Sequence, residues 1–262
     1  MSAPGRATRR TAIWRDRRML VIIVVVTALV VAAGVPAVLW LTKPHQAQLA
    51  VTNTGGLPTA MIEEPDRRIL ILNTEDREEA LAIVSRLSMA LSSRLDVVIA
   101  PANDVIAPAL LAIVDEVQPA TVIVAGAPGA APAWTSIEQS ARRLGIDVRY
   151  TGDLLTIDDG QLQVSVLGTR DEAQAAAVVV RRRAMSVVIA LTPGRIPAAG
   201  QMLVTANTND APHTDLIVTT DDTAGRQTQQ LEVVVERGDT VRVELEAASI
   251  HVFGGTRRMG AH

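Results

Sequence analysis

The chain has 262 residues, with 25 Lys and Arg against 28 Asp and Glu, long enough for one medium-sized domain with a substantial core. It contains no cysteine, which excludes thiolate chemistry, disulfides and cysteine-based zinc sites but does not identify a compartment. Beyond the N-terminal segment the aromatics are Trp134, Tyr150 and Phe253, so Val, Ile, Leu and Ala must fill the core, and bases or sugars have almost nothing to stack on.

Met1 to Arg18 carries Arg6, Arg9, Arg10, Arg15, Arg17 and Arg18 against Asp16, and 23 uncharged residues from Met19 to Leu41 follow. As a helix this run would be about 35 Å long, enough to cross a hydrocarbon core of about 30 Å. Arginines on one side and Lys43 on the other orient it with the N-terminus in the cytoplasm. The expected organisation is a cytoplasmic basic arm over 1–18, a single-pass transmembrane helix over 19–42 in the cell membrane, a tether over 43–47, and everything after Lys43 outside. The rival readings are a cleaved signal peptide ending near Val35-Pro36-Ala37 and a twin-arginine signal at Arg9-Arg10; the apolar run is longer than the roughly 7–15 residues of a signal core. Without the arm, 19 basic and 27 acidic residues remain, a net −8 that disfavours nucleic acid as a partner. The basic run Arg181-Arg182-Arg183 reads as alternate arginines on the solvent side of a strand end.

From Gln48 the segments QLAVTN, TAMIEE and RILILN are strand-like and separated by Gly55-Gly56 and Pro65-Asp66, an antiparallel opening. Asn73 to Asp76 supplies cap candidates for a helix with apolar positions Ala80, Leu81, Val84, Leu87 and Leu91. A strand from Leu95, a helix to about Val117, a strand from Ala120 and a helix near Ile137 to Leu144 complete a βαβα half. After Gly145 nearly everything is strand: DVRY, LLTI, QLQVSVL, AAAVVVR, SVVIAL, MLVTA, DLIVTT, LEVVVE, TVRVELE and SIHVF. The fold class expected is α/β, two sheets face to face with helices outside, an αββα sandwich over 48–253 followed by a flexible tail over 254–262.

The loop at the carboxyl end of the Leu95 strand is where an α/β protein usually places a ligand. Here Pro101-Ala102-Asn103-Asp104 offers one amide and one carboxylate among Ala102, Ile106, Ala107 and Pro108, none of which binds a metal or moves a proton. Asp104 reads as a helix N-terminal residue favoured by the helix dipole. The Gly126 to Pro132 run lacks a following Lys and reads as a flexible loop rimming the same place.

The order of these segments resembles the metallo-β-lactamase-like domain of ComEC-type competence proteins, the membrane channels for DNA uptake. The layout of VTNTGGLPTAMIEEPDRRILILNT keeps that family's punctuation at Asn53, Gly55, Gly56, Pro65 and Asp66, and LGIDVRYTGDLLTIDDGQLQVSVLG is the most specific stretch of the likeness. The resemblance implies a two-metal hydrolase site. Its His/Asp-rich motif falls on Ala102, Asp104, Ile106 and Ala107, its bridging carboxylate near Pro193, and its later histidines near Asn207 or, with a shifted gap, His213. Only Asp104 keeps a family-like residue.

A pair of cations about 3.5–4 Å apart needs several imidazoles and carboxylates, and of the chain's four histidines His45 and His262 lie outside the domain. His251 reads as one face of a terminal strand, while His213 with Asp104 is the remaining candidate for a single remodelled ion site. Neither Ser165 nor Ser186 has a visible histidine partner. The leading expectation is a non-catalytic, outward-facing binding or scaffolding module with no metal or other cofactor, its site vestigial, its partners the membrane and a protein within it, and its setting linked to DNA uptake. The alternative is a divergent metal-dependent hydrolase, nuclease-like; a third class is a small-ligand receptor. If the vestigial positions are apolar, the old site should be closed and dry, with Ile106 buried.

Overall fold

The computed structural model describes residues 47–54, 58–87, 95–158, 160, 162–168, 175–183, 185–196, 200–206, 214, 216–220, 231–245, 252–253 and 256–259. The basic arm, the 19–42 segment, Asn207, His213 and His251 lie outside them. Among the described residues no helix is long and apolar enough to cross a membrane.

The opening strands β1 (Gln48–Thr52), β2 (Thr59–Glu63) and β3 (Arg68–Ile71) form an antiparallel meander, as the alternating segments and their turns predict. From β3 the chain winds through α1 (Arg77–Leu87), β4 (Val97–Pro101), α2 (Ala107–Ala112), β5 (Thr121–Ala125), α3 (Pro132–Leu144) and β6 (Asp147–Thr151), with β3 to β6 parallel. Parallel neighbours require a crossover, and the three helices provide it. Past Ala112 the backbone continues for one π-helical turn, Ile113–Val117, ended by Gln118 in the left-handed conformation.

The ten strands expected after Gly145 are present, but they do not form one separate half. β7 (Leu154–Asp158), β8 (Gln163–Leu167), β9 (Ala177–Arg182), β10 (Met185–Ala190), β11 (Met202–Thr205), β12 (Leu216–Thr219) and β13 (Leu231–Val234) build a second sheet. β14 (Thr240–Glu244) and β15 (Val252–Phe253) then return to the first, where β14 pairs along the whole of β1 from Gln48↔Glu244 to Thr52↔Thr240. Thr256–Met259, within the stretch read as a tail, is strand β16 beside β13. Each sheet has eight strands, in the orders β15-β14-β1-β2-β3-β4-β5-β6 and β16-β13-β12-β11-β10-β9-β8-β7.

The sheets face one another across a core of branched aliphatics, with Leu49, Val51, Ile62, Ile71 and Ile99 from the first against Val164, Val178, Val187, Ile189 and Val218 from the second. Alternation along each strand sends the intervening residues to the other face. On the first sheet these are Met61, Leu70, Val98 and Val124, covered by Ile83 of α1, Leu110 of α2, and Trp134 and Ile137 of α3. The outer face of the second sheet has its own small buried cluster, Ala177, Val179, Val188 and Leu203. The expected αββα order is therefore seen in three layers among the described residues, helices, first sheet and second sheet.

Among the described residues an ion pair runs between the sheets. Arg182 is buried on the same strand face as Val180 and reaches Glu64, just after β2, at 3.8 Å, while Arg181 and Arg183 are exposed. The triple arginine thus alternates as expected at its two ends, but its middle member faces inward.

Candidate functional site

At the end of the sandwich where β1, β3, β4 and β10 finish, loops from both sheets enclose a pocket of about 510 Å³. Asn73, Thr74, Glu75 and Asp76 line it from the β3–α1 connection, Glu79 from the first turn of α1, Asn103 and Ile106 from the β4–α2 loop, Pro193 from beyond β10, Thr54 from beyond β1, and Arg237 from the β13–β14 turn.

Two buried asparagines set this arrangement because each satisfies carbonyls that the ends of the sheets would otherwise leave unpaired. The Asn53 Nδ2 donates to Val235 O at 2.8 Å and Thr220 O at 3.3 Å, and its own carbonyl accepts from Gly238 N at 3.0 Å. That ties the end of β1 to the turn carrying Arg237. Asn73 donates through its backbone N–H to Thr59 Oγ1 at 3.0 Å, and its Nδ2 lies 3.4 Å from Pro58 O and 3.5 Å from Ala190 O, so it spans from the first sheet to the end of β10. Its Oδ1 is buried and accepts no hydrogen bond among the described residues.

The helix cap falls on Asp76, whose Oδ1 accepts from the N–H groups of Glu78 at 2.8 Å and Glu79 at 3.1 Å. Its carboxylate is thereby engaged, whereas Glu75 and Glu79 lie beside the pocket with no ion pair among the described residues. Arg237, exposed on the opposite turn, likewise has none.

Asn103 shapes the β4–α2 loop: its Oδ1 accepts from Val105 N at 3.0 Å and its carbonyl from Ile106 and Ala107 N–H at 3.1 and 3.2 Å. Asp104, expected at the helix start, instead precedes α2 by a turn and is drawn to the other side. Its Oδ1 accepts from Trp134 Nε1 at 2.7 Å, and a Cβ on Gly129 would collide with the same carboxylate. Gly126, at φ +123°, packs its backbone against Ala102, where a Cβ would come within 2.9 Å. The glycine-rich loop lies against Ala102 and Asp104 rather than lining the pocket, and both glycines are needed for the close approach.

The sequence-predicted positions are therefore brought together only in part. Ile106 and Pro193 share the pocket; Ala102 and Asp104 sit under the glycine-rich loop; Ala107 is buried in the helix layer; Asn207 and His213 lie outside the described residues. Ile106 is buried as expected, at 5% exposure. The expected closure is not found: Ile106 and Pro193 line the pocket, but it is open, with Asn73, Glu75, Glu79 and Arg237 among its walls. Those four were missed as site residues. The only local signal was the polar run from Asn73 to Asp76, which reads equally well as a helix cap.

Ala102, Ile106, Ala107 and Pro193 carry no side-chain donor for a metal, and among the described residues no group of three or more His, Cys, Asp or Glu could hold one. The described part of the site does not fit the two-metal centre that the resemblance implies.

No family model matches the chain, and no curated protein matches it. Among solved structures, the chain is similar to the metallo-β-lactamase fold protein YhfI from Bacillus subtilis, at 15% identity over 66% of this chain and 70% of that one, with a TM-score of 0.36. A likeness of that extent assigns neither an activity nor a residue's role.

Proposed function

We propose that the region from Gln48 onward is a metallo-β-lactamase-like sandwich that binds a ligand at its strand-end pocket and does not hydrolyse it. The observation that carries this reading is the contrast between an open pocket of about 510 Å³, within the usual range for small ligands, and the absence of donor atoms at Ala102, Ile106, Ala107 and Pro193. Among its described lining residues the pocket has no imidazole and no metal-ligand set, which favours recognising and holding a ligand over metal-assisted hydrolysis.

The module is held at the cell membrane by the 19–42 segment and faces outward, where a membrane protein is its partner. The ComEC-type resemblance makes DNA uptake the setting; a net −8 outside the basic arm leaves contact with the nucleic acid itself to that partner. The full chain, purified after exposure to Zn²⁺ and Mn²⁺, is expected to retain no stoichiometric metal. Tight stoichiometric metal with phosphodiesterase activity would replace this reading with the hydrolase. A reporter fused after His262 that is active only in the cytoplasm would refute the topology.

A further inference from the structure

Strand β6 ends the first sheet among the described residues, so one of its edges has no neighbour there. Pairing with β5 uses its odd-numbered residues: Asp147 N–H donates to Ala120 O at 3.2 Å, and Thr151 O accepts from Gly126 N–H at 2.8 Å. Backbone polar groups alternate in direction along a strand, so Val148 and Tyr150 turn their N–H and C=O groups away from β5, where no described strand takes them.

The side chains of this edge divide by face. Ile146, Val148 and Tyr150 lie on the helix side, where with Glu138, Ala141 and Arg142 of α3 they line an open groove of about 420 Å³. Among the described residues three large hydrophobic side chains are exposed, and two of them, Tyr150 and Leu154, are at this edge. Asp147 and Arg149 take the opposite face, the one that carries Ile123 of β5, and pair with each other at 2.7 Å. An exposed ion pair of this kind adds little to the stability of the fold. Charges on an edge strand ordinarily keep other strands away. These two are opposite in sign and two residues apart, a spacing that makes the strand complementary to itself.

We propose that β6 pairs antiparallel with β6 of a second copy of the chain, about a two-fold axis at Val148. Val148 then meets the partner's Val148, and Tyr150 meets the partner's Ile146, as hydrogen-bonded pairs, which is the phase that the outward N–H and C=O groups of β6 require. Each Asp147 lies directly opposite the partner's Arg149 at the closer, non-hydrogen-bonded positions, so the four charges alternate in sign around a square. On the helix side Ile146, Val148 and Tyr150 cover their counterparts and close both grooves. The neighbouring two-fold registers of the same phase set like charges together: an axis at Arg149 puts Arg149 against the partner's Arg149, and one at Tyr150 puts Asp147 against the partner's Asp153. Charge complementarity therefore favours a second copy as the occupant and selects the register. The first sheets of the two copies become one continuous sheet. This surface is separate from the strand-end pocket and does not depend on the binding reading above.

The test is the mass of the full chain in detergent micelles, read by light scattering, for the native sequence and its charge-reversed variants. The native chain is expected to be a dimer. Asp147→Arg gathers four cations at the seam and Arg149→Asp four anions, and each alone should raise the dissociation constant at least about tenfold. Mixing the two variants restores every opposite-charge pair across the seam, so differently tagged D147R and R149D chains should co-purify as a heterodimer, which also shows that both are folded. With both substitutions in one chain the charges are exchanged and still complementary, and that variant should dimerise as the native chain does. A monomeric native chain, which would leave β6 to a strand of another protein, overturns the proposal. So does a dimer that survives both single reversals, as one held through the 19–42 segment would. A mixture of the two folded single variants that stays apart, or a monomeric double variant with the native circular dichroism, overturns it as well.

Discussion

The indole Nε1 of Trp134 donates to Asp104 Oδ1 at 2.7 Å, joining the first turn of α3 to the loop that follows β4. Trp134 is buried in the helix layer, so its N–H would lack a partner without this carboxylate. The bond explains why the Asp104 carboxylate is not in the pocket: it satisfies a buried indole.

Trp134→Phe should therefore lower stability by about 1–2 kcal/mol, the lower part of the range for hydrogen bonds to a charged group because Asp104 is exposed. Urea denaturation of this variant, of Asp104→Ala and of the double mutant gives the coupling. Additive losses would mean that the two residues act independently.

The glycine-rich loop gives a dependent test. Gly129→Ala places a methyl against the Asp104 carboxylate and is expected to cost about 1–3 kcal/mol in the native background. In an Asp104→Ala background the loss should fall to less than half of that. Equal losses in both backgrounds would show that the loop's backbone, not Asp104, sets the need for glycine. Gly126→Ala, at φ +123° and against Ala102, should cost about 1–3 kcal/mol in either background.

Removing one member of the inter-sheet ion pair leaves the other charge in a dry place. Arg182→Met is expected to lose about 3–5 kcal/mol, and Glu64→Gln combined with it should regain most of that. The readout is again the urea midpoint, at constant slope. A loss below about 1 kcal/mol for Arg182→Met would show that Glu64 is adequately held by its other contacts.

Tyr150 is the chain's one tyrosine, so phenolate absorbance reports it alone. Burial, and then the hydrogen bond from its hydroxyl to Glu138 Oε1 at 2.9 Å and that carboxylate's charge, push it up from 10.0 to about 12. The folded protein thus holds this proton after the unfolded chain has released it. The contribution to stability is whole below pH 10 and declines as pH rises from 10 toward 12. Absorbance at alkaline pH should titrate near 12 in the folded protein, and Glu138→Gln should move the midpoint down. A midpoint at 10 in the native chain would refute the contact.

Much of the framework was legible because its causes are local. Branched apolar runs bounded by Gly, Pro and Asp announced the strands from β3 to β15, and the spacing of Ala80, Leu81, Val84 and Leu87 announced α1, since side-chain period and turn chemistry depend on near neighbours. Ile106 could be expected to be buried because an apolar side chain at the loop favours removal from water. Asn73 could not be read beyond a cap candidate, because its role depends on Ala190 O, 117 residues away.

What only the tertiary structure decided is the pocket. Arg237 reaches it because β14 returns to β1, pairing Thr52 with Thr240, and because Asn53 bonds to Val235 O across 182 residues. Asp104 leaves it because Trp134, 30 residues later, needs an acceptor. Sequence periodicity determines which face of a strand or helix is apolar. Which distant strand or buried donor lies beside it is settled by the packing of the whole core, since only there do burial and unpaired polar groups set the cost of each alternative.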